Sequence, residues 1–181
     1  CRAYACDQRD ADAVRRTAGQ IADDLGGPDI LVANAASFGG GPVKDLPLET
    51  WNDVIQTNLT GTFLTVQAFL PAMLAKERAD IFLVSSMSGK KGDPNGSAYA
   101  ASKFGLQGFA QSLTYELRRD DIRVMVLNPS GVNTEPEDAG ALHGPGLHLH
   151  AADLAATIVH LARLPGRTLV RDMDIWGTNP F

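Results

Sequence analysis

Apolar residues recur at helical spacing over residues 10–25, at Val14, Ala18, Ile21, Ala22 and Leu25, so this segment reads as an amphipathic helix. Gly26, Gly27 and Pro28 end it. Residues 29–33 form a short apolar run, the pattern of a strand covered on both faces. Residues 37–42 read as loop, and residues 48–74 as one long helix with Pro71 near its end. The alternation continues. A strand is expected at 80–85, a loop rich in Gly, Ser and Pro at 86–96, and a helix at 98–118. A further strand at 122–127 is broken by Asn128 and Pro129. Residues 130–149 read as an irregular, lid-like loop, residues 151–164 as a helix, and 170–176 as the last strand. The opening residues 2–7 read as a strand already under way, so the chain is taken as N-terminally incomplete.

Strands alternating with helices predict a parallel sheet covered on both sides. Ligands of such sheets bind at the carboxyl ends of the strands. A length of 181 residues suits one domain, and neither a repeat nor a linker divides it.

Composition narrows the function. A net charge of −5 and a pI near 5.3 lack the basic stripe of a nucleic-acid surface. The uncharged stretch 54–75 raises a membrane span. Gln56, Thr57, Asn58, Thr60, Thr62, Thr65, Gln67 and Pro71 make it too polar to face lipid, so a buried helix is expected and no membrane partner. Cys1 and Cys6 lie too close for a useful cross-link, which points to a reducing, cytoplasmic setting. His143, His148 and His150 have no Cys or carboxylate at a matching ligand spacing, so no metal is expected. His160 is read as a helix-face residue.

The candidate chemistry starts at Tyr99 and Lys103, four apart on one helix and so on one face. An ammonium near a phenol favours the phenolate and brings its proton within range of neutral pH. Ser86, just past a strand end, can hold a carbonyl oxygen from the other side; taken alone, the Tyr/Lys spacing fits a chance surface pair and Ser85-Ser86 an ordinary turn capping a strand.

Ser86 followed by Tyr99-Ala-Ala-Ser-Lys103 resembles the catalytic stretch of the short-chain dehydrogenase/reductases. Four more stretches match in the same order: Ala5-Cys-Asp7, Leu31-Val-Ala-Asn-Ala-Ala36, Thr57-Asn-Leu-Thr-Gly61 and Asn128-Pro-Ser-Gly-Val-Asn-Thr134. The resemblance covers the whole chain. It implies an α/β fold, a doubly wound Rossmann-type parallel sheet in three αβα layers, with the first two strands and the Gly-rich phosphate turn absent from this chain. Gly39, Gly40 and Gly41 do not replace that turn.

The resemblance also implies roles. Tyr99 is the general acid/base. Lys103 binds the nicotinamide ribose and lowers the Tyr99 pKa. Ser86 orients the carbonyl, and Asn58 holds a water linking Lys103 to solvent. Asp7 touches adenine, and Asn34 and Ala35 the adenosine side. Pro129, Ser130, Val132 and Thr134 hold the carboxamide. The implied cofactor is NAD or NADP, with NADP favoured. The implied reaction interconverts a small-molecule carbonyl and a secondary alcohol by hydride transfer, in a homodimer or homotetramer. The alternative is a non-catalytic scaffold of the same fold that binds protein partners.

Overall fold

A computed structural model describes residues 1–133 and 148–178. In chain order the elements are α1 (Ala11–Leu25), β1 (Ile30–Ala33), α2 (Leu48–Ile55), α3 (Gly61–Leu74), β2 (Ala79–Val84), α4 (Ser97–Leu117), β3 (Ile122–Pro129), β4 (Val132–Asn133), β5 (Leu149–His150), α5 (Ala151–Ala162) and β6 (Asp172–Ile175). Four strands form one sheet in the order β1-β2-β3-β6, all parallel.

Side chains alternate across each strand. On β2, Ile81 and Leu83 enter one core with Val66 and Met73 of α3 and Leu106, Ala110 and Leu113 of α4. Phe82 points the other way, into a second core with Met125, Leu127 and Leu161 of α5. The expected three layers are therefore present, and every residue of β2 and β3 is buried. Asp80 and Arg123 are register partners at the amino end of the sheet. They form a paired contact, Nε to Oδ1 and Nη2 to Oδ2, each 2.7 Å. Arg123 also donates to carbonyls of Leu161 and Thr168, so this buried ion pair has its remaining donors satisfied.

Five expectations need correction. Residues 1–7 form no ladder. A strand needs a neighbour to receive its hydrogen bonds, and these residues instead tie to α1, where Arg2 and Tyr4 both bind Asp24. β1 is not covered on both faces: Leu31 is buried, but Ile30 and Val32 are 47% and 42% exposed and take no part in the core around Phe82. The helix expected over 48–74 is interrupted by a π-helical turn, Gln56–Thr60. β3 runs on through Asn128 and Pro129. Proline is tolerated there as a strand terminus, and Ser130 N donates to Ile175 O at 2.8 Å in its stead. Finally, the segment expected as an irregular loop carries short strands, because Val132 and Asn133 pair in parallel with Leu149 and His150. The interior of that segment, including Thr134 and His143, lies outside the described residues.

Candidate active site

The carboxyl ends of β2 and β3 and the start of α4 meet at one edge of the sheet. Ser86 lies two residues past β2 and caps a short 3-10 turn, Met87–Gly89, by accepting from Ser88 N at 3.1 Å. Gly89 is required there, since a Cβ would stand 2.7 Å from Ser85 Oγ and 3.0 Å from Lys103 O. The next residue, Lys90, fastens the turn to β6 through Asp172 and Asp174, at 2.8 and 2.7 Å. Those carboxylates hold its ammonium above the ordinary lysine range.

Tyr99 and Lys103 sit one turn apart on α4, facing this turn. The Tyr99 phenol is half-buried. Burial pushes its pKa up from the ordinary phenol value, and the Ser86 side chain partly offsets that. Lys103 is buried, with 3% exposure. Its Nζ donates to Val84 O at 2.9 Å and lies 5.5 Å from the Tyr99 ring centre. Desolvation lowers its pKa to about 8. The expected depression of the Tyr99 pKa by Lys103 is therefore corrected: burial is the larger influence, and the ammonium contacts a carbonyl rather than the phenol oxygen.

Asn58 is buried in the π-helical turn, at 1% exposure. Its amide accepts from Ser37 N at 2.7 Å and donates to Ser37 O at 3.0 Å and to Ser102 Oγ at 3.1 Å. Ser102 in turn donates to Tyr99 O at 2.7 Å. Asn58 thus joins the loop after β1 to the helix that carries Tyr99.

The remaining expected residues spread along the same edge. Asn34 and Ala35 are exposed just past β1. Asp7 is exposed, and Arg9 grips both its carboxylate oxygens and holds its pKa down to about 2. Pro129 is buried, while Ser130 and Val132 are half-buried beyond β3. His148 is exposed and His150 caps α5, where its backbone N–H donates to Asp153 at 2.8 Å. His160 is exposed on α5. Among the described residues no group of His, Cys, Asp and Glu could hold a metal, and no helix is long and apolar enough to cross a membrane.

Three positioning residues escaped the sequence. Gln8 donates to Ala35 O at 3.2 Å and Thr57 O at 2.8 Å, bridging the β1 loop and the π turn. Gln107 donates to Asn128 Oδ1 at 2.5 Å and Ser85 Oγ at 3.3 Å. It lies one turn beyond Lys103 on the same face, and that spacing was the available signal. Phe38 stacks on Tyr99, with ring centres 4.8 Å apart and planes inclined by 22°. Its contact crosses 61 residues of sequence, and no local pattern marks it. A cavity of about 350 Å³ at the opposite end of the sheet includes Arg78, Arg118 and Arg123 in its lining. Two of those arginines already bind Asp80 and the α5 carboxyl end, so the chemistry is not placed there.

The arrangement can therefore hold an oxygen atom between two hydroxyls, with an ammonium one helical turn away. The family model for short chain dehydrogenases matches residues 1–140. The chain is 41% identical over 135 residues to an uncharacterized NAD-dependent oxidoreductase of Mycobacterium tuberculosis, covering 72% of this chain and 49% of that protein. It is 41% identical over 134 residues to a 3-dehydrosphinganine reductase of Arabidopsis thaliana, covering 72% and 39%. Among solved structures, a metagenomic short-chain oxidoreductase in complex with NADP superposes with a TM-score of 0.82 at 30% identity, over 96% of this chain and 72% of that one. The chain spans about half or less of the length of these curated relatives. With the match running through both hydroxyls, the lysine and the buried asparagine, the chain belongs to the short-chain dehydrogenase family.

Proposed function

We propose that the protein is a nicotinamide-dependent oxidoreductase that interconverts a ketone and a secondary alcohol, with Tyr99 exchanging the proton. The observation that carries this reading is the convergence of Ser86, just past β2, and Tyr99, at the start of α4, at the carboxyl edge of the sheet, with Lys103 Nζ 5.5 Å from the Tyr99 ring centre. A nicotinamide cofactor supplies the hydride and accepts it back in the reverse direction.

The residues present fit its nicotinamide end. An ammonium has three donors, and the Lys103 contact with Val84 O uses one of them, which leaves donors for ribose hydroxyls. Asn34 and Ala35 would lie along the adenosine side, and Ser130 and Val132 beside the carboxamide, with Pro129 shaping that backbone. The backbone at Asp7 would meet adenine, since its carboxylate is occupied by Arg9. The similar proteins are named for NAD and for NADP, so both cofactors belong in the assay.

Carbonyl reduction builds negative charge on oxygen. Ser86 and Tyr99 donate hydrogen bonds at the position where that charge appears, and such donors act most strongly in the transition state. A phenol held above its ordinary pKa is fully protonated at neutral pH, which suits proton donation to the forming alkoxide. Asn58 keeps the loop after β1 and the Tyr99 helix in fixed relation, and is assigned to the proton path through water beside Lys103. The exposed Phe63 and Phe104 on α3 and α4 support a homodimer or homotetramer packed on those helices.

The test follows NADH and NADPH oxidation with a panel of ketones. Turnover is expected with at least one pair, and Tyr99→Phe is expected to slow it by roughly a hundredfold or more. Turnover unchanged in Tyr99→Phe contradicts the reading.

A further inference from the structure

Phe38 is among the most exposed large apolar side chains, at 78%, yet it is held in place. Its neighbour Ser37 is bound through both backbone groups by the buried Asn58, and the Ser37 hydroxyl donates to Asp53. On the other side, Gly41 N donates to Asn95 O at 2.8 Å. Gly40 packs so closely that a Cβ there would lie 2.2 Å from Asn95 O, an approach open only to glycine. The loop therefore presents an aromatic ring at a fixed place. One face of that ring covers Tyr99. The rest of it is open to solvent.

We infer that Phe38 determines substrate specificity, selecting carbonyl compounds that carry a flat apolar group directly on the carbonyl carbon. This rests on the reading of Tyr99 as the proton donor. A carbonyl oxygen bonded to the Tyr99 hydroxyl brings its substituents within reach of a ring stacked on that same tyrosine. Aromatic rings prefer flat partners in offset or edge contact, and such pairs gain beyond simple area burial. A saturated group of equal size presents no flat face and gains less.

The experiment compares acetophenone with cyclohexyl methyl ketone, equal in carbon count and differing in ring flatness. Each is assayed with wild-type protein, Phe38→Ala and Phe38→Trp. Phe38 is exposed, so neither substitution empties the core; thermal unfolding checks this. Phe38→Ala is expected to lower kcat/KM for acetophenone roughly fivefold and for the saturated ketone less than about twofold, with Phe38→Trp retaining the preference. An aryl-to-saturated ratio unchanged by Phe38→Ala overturns the inference. Saturation-transfer NMR with acetophenone reads the same contact without turnover. A signal that weakens in Phe38→Ala supports the inference even where no ketone is reduced, a result that would count against the reductase reading alone. Equal signals in both proteins overturn the inference.

Discussion

Lys103 is an ammonium placed where water is scarce, and its chemistry follows from that. Burial lowers its pKa to about 8 against an ordinary 10.5. Below pH 8 both the folded and the unfolded chain carry the proton, and the folded chain bears the full desolvation penalty. Between about pH 8 and 10 the unfolded chain binds more protons than the folded one, so stability rises with pH. The rise approaches about 3 kcal/mol. Tyr99, held above 10, titrates beyond this window. Unfolding monitored from pH 7 to 10 should show this climb in the wild type and lose it in Lys103→Met; an identical climb in both proteins excludes Lys103 as its source. At this scale the sequence names Ser86, Tyr99 and Lys103 as candidates through the resemblance of their stretch to the family's, spacing and a strand end being weak signals alone. Their pKa balance is not legible, because spacing places Lys103 near the phenol but does not reveal that Val84 O takes its hydrogen bond.

At the scale of elements, the π-helical turn Gln56–Thr60 decides how the site is assembled. One wide turn in an otherwise α-helical stretch is a feature often found at functional sites. Here it carries the buried Asn58, which faces the backbone of Ser37. Asn58→Ala leaves the Ser37 N–H and C=O without those partners, and should cost on the order of 1–3 kcal/mol. The urea midpoint should fall at constant slope, and the Ser37 amide should exchange faster with solvent. Unaltered exchange at Ser37 would show that the loop is held some other way. The strands of the central sheet and the helices α4 and α5 were readable from hydrophobic period and turn residues. The π turn was not, since Thr, Gln and Asn within an apolar run fit a straight helix as well. The exposure of β1 is illegible for a related reason: an apolar run reports what a strand could bury, whereas the cover over Ile30 and Val32 depends on elements elsewhere.

For the molecule as a whole, the parallel sheet is what turns distant residues into one site. Asp80 and Arg123 pair at its amino end, while Ser86, Tyr99 and Lys103 gather at its carboxyl end, where open α/β sheets bind their ligands. Ser86 follows β2 and Tyr99 opens α4, so the two residues share one edge only if strand, turn and helix are all in register. The overall alternation announced this layering. Long-range contacts such as Gln8 with Thr57, or Phe38 with Tyr99, are not legible in the sequence, because no local period encodes them.

If Ser86 and Tyr99 hold the same oxygen, removing either should disable the same event. The most direct measurement is a double-mutant cycle on the single-turnover rate of ketone reduction, using Ser86→Ala, Tyr99→Phe and the pair. Each single change should slow the step by about a hundredfold or more, and the double variant should fall within about tenfold of Tyr99→Phe alone. Losses that multiply, or a Tyr99→Phe protein that reduces its ketone at the wild-type rate, would contradict the account.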